Sequence, residues 1–589
     1  MVGQNYEVTR NSPLKIINKD NVAQMVPLFA VDLCGWSCTP PKFAPTDRVA
    51  NGSHPSEEAV PVVADGFLYI EDGLSKVSKI DVRSGTKGTF VWRYDPKITS
   101  YRDRKGVALM NSNVYVCAGS ARGIALDMNS GEVKYDTDLH APNQPGATIL
   151  KDIPGQTMTA PPMVVKSAAG TNIQMCGRAG IHAGNHSFDA VNADTGKFMW
   201  RFYSVPGPGQ PGFSSWQNDA WQVTSIGFWG YQAFDPKTNV VMTGTGDVWP
   251  DSDPEFRPGD NLFGGSFVAL DVDTGKVKWY FQYIPSVRYD NDSTSSPQIW
   301  TDKQGRRVVS NFNRAGFWYN FDLDASAKGG ITNPQHSDYP PIAAFLRANQ
   351  YVDEVSWTKG IDPKTGLPVE YDPSKAVQAY NDYPKGGTPR QNVGVMGYHC
   401  PAWGGQNTGM EPNTLDLERR KAFAVVNEDC TSSGSISEVK EPAKTDWAKF
   451  FDSFAGGTSG PQPCCFTGSD IHRGWAIVSM DLDTGARTKL VATDPQRQGN
   501  ESGVLGTAGG LLMTAWGNGD VSVYDKDNGK LLWNFNTGTN MAAAAITYAV
   551  NGKQYFAVLG GGGTGPTSAI PDADSALGGN PNLWVFGLR

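Results

Sequence analysis

A short stretch of this chain, residues 216 to 316, carries side chains that could hold a metal and a flat, oxygen-rich ligand. Trp229 lies in GFWGYQAFDP, Asp247 closes GTGD, Asp290 and Asp292 stand two apart in YDND, and Arg314 sits in NFNRAG. Carboxylates are hard oxygen ligands suited to a divalent or trivalent cation. Arginine is a permanent planar cation that matches an anionic or carbonyl oxygen. A tryptophan face stacks on a planar ring. Taken singly, each residue has an ordinary reading: Asp247 caps a turn, Asp290 and Asp292 are solvated loop acids, and Arg314 is a loop arginine. Their order and spacing give the site its meaning.

The elements that must position them repeat along the chain. An apolar run leads into hydrophobic–Asp–x–x–(Thr/Ser/Asn)–Gly, and a short strand often ending in Trp follows. Copies stand at 79–92, 125–135, 190–200, 269–279, 479–490 and 523–533, with degraded copies at 233–242 and 320–330. The Asp caps a tight turn and the Gly supplies positive φ. Units of roughly 40 residues with four short strands each predict a β-propeller. The terminal tryptophans are expected to pack between blades. The copies run to the end, so residues 1–589 read as a single domain. Residues 330–400 and 431–470 read as long loop excursions able to shape a substrate mouth. The segment RNSPLKIINKDNVAQMVPLFAVDL is expected to pack around the outside, and NLWVFGL (582–588) to close the ring.

Composition agrees and excludes alternatives. The 67 Gly and 17 Trp suit a turn-rich all-β chain. A net charge of −8 argues against nucleic-acid binding. No apolar run reaches the ~18 residues of a membrane span. The start, MVGQNYEVTR, has no apolar signal core, so the protein is cytosolic or its signal has been removed. There is no CxxCH for c-type haem attachment. Of the eight cysteines, Cys117 and Cys176 sit in strand-like runs and read as small buried hydrophobes. Cys34 and Cys38 are close enough for a local bridge, and Cys464 and Cys465 are neighbours whose pairing stays open. An oxidising compartment is preferred for these others.

From SPLKIINKDNVAQMVPLF through EEAVPVVADGFLYI, TMTAPPMVVK, SWQNDAW, FWGYQAFDP, GTGD, RPGDNL, YDND, NRAG and GTAGGLL to NGKQYFAVLGGGG, the chain resembles the pyrroloquinoline quinone (PQQ)-dependent, methanol-dehydrogenase-like alcohol dehydrogenases. The resemblance implies an all-β, eight-bladed propeller with tryptophan-docking repeats. It implies PQQ and a metal near the axis, a periplasmic location with the signal peptide removed, and electron transfer to a separate cytochrome c or other acceptor. It implies roles by position. Trp229 stacks on the quinone, Asp290 is the catalytic base and touches the metal, and Arg314 faces the quinone oxygens. Glu58, Lys105 and Thr159 hold cofactor carboxylates, and Asn407 lies near the quinone. Asp247 stands where the family has a metal-binding Asn. Asp292 stands where lanthanide-using members carry an extra Asp. Calcium is the first expectation for the metal and a lanthanide the second. A Cys400–Cys430 disulfide is implied by the spacing found in related quinoproteins.

The departures are equally specific. Thr99 and Ser100 replace the family's adjacent cysteine pair, Ile181 stands where many members keep a metal-binding glutamate, and Glu501 replaces a rim tryptophan. His182 reads as a polar loop residue. A pocket without the cysteine cap and rim tryptophan is expected to take primary or secondary alcohols, bulky polycyclic ones such as a trichothecene mycotoxin included. Two rivals remain: a non-catalytic propeller that only binds, and a quinoprotein acting on aldehydes or sugars.

Overall fold

The computed structural model describes residues 2–33, 59–98, 105–140, 156–180, 186–222, 224–249, 257–287, 291–332, 337–371, 400–401, 412–430, 473–493, 502–539, 541, 543–561 and 582–589. Glu58, Asp290, Asn407, Ile181, His182, Thr99, Ser100, Glu501, Cys34, Cys38, Cys464 and Cys465 lie outside them. The strands form eight sheets, most of four antiparallel strands built from consecutive segments. The closing sheet takes Met25–Asp32 beside the C-terminal strands, and Asn11–Ser12 adds a parallel strand to the one before it. These are the eight blades of the expected propeller. Blade I comprises 62–64, 67–71, 77–81 and 89–94; blade II 108–110, 113–118, 122–127 and 133–138; blade III 163–166, 172–180, 187–192 and 198–203; blade IV 232–235, 240–244, 266–271 and 277–282; blade V 298–301, 307–313, 317–322 and 344–350; and blade VI 414–416, 421–427, 475–481 and 487–492. In each blade the strands are called A to D from the channel outward.

The repeated phrase forms the turn between strands C and D. In blade IV, Asp271 Oδ1 accepts from the Thr274 backbone N–H (3.0 Å) and hydroxyl (2.8 Å). Gly275 follows with φ +70°, and a Cβ there would lie 2.4 Å from the Trp200 ring. Trp200 ends blade III, stacks on that glycine and donates Nε1–H to Val272 O at 2.8 Å. Trp92 repeats the arrangement on Met128 O, and Trp533 on Met25 O, so the expected tryptophan docking is present. Two degraded copies fold otherwise. Residues 233–242 make the A–B hairpin of blade IV, and 320–330 contain a short helix, Leu323–Ala327, capped by Asp322.

The core lies between blades. Val240, Met242, Phe267 and Trp279 of blade IV pack against Val309, Tyr319 and Phe321 of blade V. Strands B and C are covered on both faces, which is why they read as continuous apolar runs. The ring closes where Met25–Asp32 pairs antiparallel with Asn582–Leu588, as the last strand predicted.

The N-terminal segment meets the expectation in part. Met25–Asp32 lies outside as the outermost strand of the closing blade, and Val22–Gln24 packs on Leu531–Asn536, the outermost strand of the blade before it. The start of that segment, with the residues before it, instead crosses the inner strands: Phe234 N donates to Tyr6 O, Ile299 N to Glu7 O, Leu415 N to Thr9 O, and Gly506 N to Arg10 O. Innermost strands are sheet edges whose N–H groups need acceptors, and this extended segment supplies its carbonyls.

The second correction is Cys117 with Cys176. They are not free thiols but a disulfide joining strand B of blade II to strand B of blade III, Cα atoms 5.6 Å apart. Both cysteines are buried; the ring sets the two strands side by side, so each thiol meets a partner. The Cys400–Cys430 disulfide is present as implied.

Candidate functional site

Antiparallel alternation dictates where the loops emerge. D–A and B–C connections share one end of the ring, and A–B and C–D turns share the other. Lys105, Thr159, Trp229 and Asp292 lie on D–A connections, and Asp247 and Arg314 on B–C connections. The topology therefore gathers all six at one mouth.

Hydrogen bonds then tie these loops together. Gly246 N donates to Gly227 O at 2.8 Å, and Ser293 N to Thr245 O at 2.9 Å. The Asp247 backbone N–H donates to Asp292 Oδ1 at 2.9 Å. A Cβ at Gly246 would lie 2.9 Å from Asp292 Oδ1 and 3.2 Å from Trp229 Nε1, so the glycine of GTGD permits this close approach. Arg314 Nη1 forms an ion pair with Asp292 Oδ2, with Arg314 3% and Asp292 9% exposed at their side chains. Asp247 Oδ1 also accepts from Val248 N.

Trp229 is half-buried, and Lys105 Nζ lies 6.0 Å from its ring centroid. Lys105 is itself buried. Ala160, next to Thr159, packs close to Gly177 beside the Phe228 carbonyl, so the Thr159 loop adjoins Trp229. The Thr159 hydroxyl is buried without a hydrogen-bond partner in the protein. An indole face, two buried cations and an unused hydroxyl suit a planar, anionic, oxygen-rich ring.

The two described acids are adjacent but do not complete a metal cage. Among the described residues, the one convergence of three possible ligands is Glu354, Cys400 and Cys430, and both sulfurs there are in the disulfide.

Supporting residues escaped the sequence reading. Arg178 accepts Phe228 N–H on its carbonyl at 2.7 Å and shares Asp189 with Arg201, at 3.0 and 2.5 Å. Burial depresses the Arg178 pKa, and Asp189 opposes that shift. Arg257 is fully buried, bonded to Asn261 Oδ1 at 2.8 Å and to the Val287 carbonyl. It fixes the chain just before Asp290. The available signal was an arginine inside the apolar strand NIQMCGRAG and another opening RPGDNL.

Comparison with known proteins agrees with this geometry. The β-propeller domain of PQQ glucose/ethanol/alcohol dehydrogenases matches residues 1–325. The quinohemoprotein alcohol dehydrogenase ADH IIB of Pseudomonas putida is 27% identical over 95% of this chain and 73% of its own length. The 1-butanol dehydrogenase (quinone) of Thauera butanivorans is 26% identical over 100% of this chain and 91% of its own. The solved quinohemoprotein alcohol dehydrogenase ADHIIG of Pseudomonas putida HK5 superposes with TM-score 0.76 at 25% identity, over 100% of this chain and 79% of its own.

Proposed function

Because the chain belongs to the family of PQQ-dependent alcohol dehydrogenases, we propose that the mouth between Trp229 and Arg314 is where it oxidises alcohols, with Asp290 as general base. The observation that supports this reading is the buried, unpartnered Thr159 hydroxyl at the same end of the ring as Lys105 and Arg314. A carboxylate-bearing cofactor would satisfy that hydroxyl, and leaving it unsatisfied costs roughly 1–3 kcal/mol. The residues present fit PQQ.

When bound, PQQ would supply an electrophilic quinone as hydride acceptor. Trp229 would stack on the ring. Lys105 and Thr159, with Glu58 and Asn407, would hold its polar rim. Arg314 would donate hydrogen bonds to the quinone oxygens and favour negative charge there. Asp290 takes the proton of the substrate hydroxyl. Asp247, Asp290 and Asp292 are the proposed metal ligands. Calcium, which accepts six to eight oxygen ligands, fits better than magnesium with its tight octahedron. A metal held there would supply Lewis acidity. A third carboxylate also suits a trivalent lanthanide, the second choice.

For the electron acceptor we propose a carrier such as a cytochrome c; residues 1–589 contain no CxxCH. Two disulfides among the described cysteines support an oxidising compartment, which we take to be the periplasm. No described helix is long and apolar enough to cross a membrane. For substrate we propose alcohols bulkier than methanol, including secondary and polycyclic ones of the trichothecene kind. Thr99, Ser100 and Glu501 in place of the cysteine cap and rim tryptophan support this.

The test is to strip metals, reconstitute with PQQ plus calcium, magnesium or lanthanum, and assay alcohols, aldehydes and sugars with an artificial electron acceptor. Calcium is expected to restore alcohol oxidation best. Full activity with no residual metal would contradict the metal assignment, and turnover of aldehydes or sugars alone would contradict the substrate class.

A further inference from the structure

Arg314 occupies a tight B–C turn of blade V, and all its flanking carbonyls are taken by one neighbouring segment. Tyr351 Oη donates to Asn313 O at 2.8 Å, Trp357 Nε1 donates to Ala315 O at 2.9 Å, and Tyr351 N donates to Gly316 O at 3.0 Å. Tyr351 is fully buried and Trp357 nearly so. A Cβ at Gly316 would lie 2.9 Å from both Val352 and Val355, so the segment is pressed against the turn.

The same segment is anchored to blade VI. Asp353 N donates to Glu428 Oε2 at 2.6 Å, and Glu354 pairs with Arg473 at 2.8 Å. Ser356 exchanges hydrogen bonds with Cys400, whose N donates to Ser356 Oγ at 2.8 Å and whose O accepts from Ser356 N at 3.1 Å. Cys400 in turn is bonded to Cys430, at the end of strand B of blade VI. A continuous set of contacts therefore runs from the disulfide to the backbone on either side of Arg314.

We propose that Tyr351 and Trp357 are positioning residues for Arg314, holding its turn against blade VI so that the guanidinium meets the quinone oxygens in one geometry. A guanidinium in a fixed direction stabilises charge at those oxygens without reorganising during the reaction. The proposal rests on the reading of Arg314 as a quinone-facing residue.

The experiment uses the full-length protein with Tyr351→Phe, Trp357→Phe, the double variant and Arg314→Gln. PQQ affinity is measured by optical titration in the presence of calcium, and the midpoint potential of the bound quinone is measured alongside. The unfolding midpoint of the cofactor-free protein reports any purely structural effect. The double variant is expected to bind PQQ at least tenfold more weakly and to lower the quinone potential, in the direction of Arg314→Gln. Wild-type affinity and potential in the double variant, with Arg314→Gln impaired, would overturn the positioning role alone. So would losses that follow the unfolding midpoint. An unimpaired Arg314→Gln would overturn the quinone-facing reading and the proposal with it.

Discussion

Asp292, on the connection from blade IV into blade V, and Arg314, on the B–C turn of blade V, form a buried ion pair at the mouth of the ring. The other oxygen of Asp292 accepts the Asp247 N–H at 2.9 Å. One carboxylate thus fixes both a proposed quinone-binding cation and a proposed metal-ligand loop. Its oxygens keep further lone pairs for a metal, so the pairing and the ligand role are compatible.

That double duty separates two substitutions. Asp292→Asn keeps an acceptor for the Asp247 N–H but removes the charge facing Arg314, and kcat/KM is expected to fall about 100-fold with the fold intact. Both variants leave Arg314 buried without its counter-charge. Asp292→Ala also removes the acceptor of the Asp247 N–H and is expected to be a further roughly 1–3 kcal/mol less stable than Asp292→Asn. Steady-state kinetics and urea unfolding distinguish them. Equal stability of the two variants would contradict the structural half of the role.

The Cys117–Cys176 disulfide staples blades II and III across a sequence separation of 59. Chain-entropy reasoning gives it about 4 kcal/mol. Cys117→Ala/Cys176→Ala is expected to lower the urea midpoint clearly, and thiol counting after unfolding without reductant should leave both cysteines unlabelled. Labelling of either in the unreduced wild type would remove the staple.

The far end of the ring depends on acid-labile pairs. Asp483 is held down to about 2, first by the hydrogen bond from Arg420, with burial opposing the shift. Asp527 is likewise held to about 2, first by Lys19. A carboxylate with a lowered folded pKa stabilises above its unfolded value near 3.8. That stabilisation drains away as pH falls toward 2. Urea midpoints should therefore drop between about pH 4 and 2, and Asp483→Asn should flatten the drop while lowering stability at neutral pH. An identical pH profile in the variant would rule this pair out as a contributor.

Local chemistry made much of this legible in sequence. The Asp-x-x-Thr-Gly turn and its docking tryptophan are set by residues close in the chain, so the propeller could be read directly. Trp229, Asp247, Asp292 and Arg314 could be placed by order. What joins them could not. The Asp292–Arg314 pair, the Cys117–Cys176 bond and the clasp of Tyr351 and Trp357 on the Arg314 turn each unite segments that only the folding of a blade, or the packing of consecutive blades, brings together. The N-terminal crossing of the channel was hidden for the same reason. Its acceptors serve strands hundreds of residues away, and Tyr6 to Arg10 carries no pattern of its own.

The most direct measurement is single-turnover reduction of the PQQ-loaded enzyme by an alcohol, followed optically in the wild type and in Asp290→Asn. The wild type should reduce its quinone rapidly. Asp290→Asn should retain PQQ with similar affinity yet reduce it about 10³-fold or more slowly, because the proton acceptor is gone. Reduction within tenfold of the wild-type rate would contradict Asp290 as the base and the site built around it.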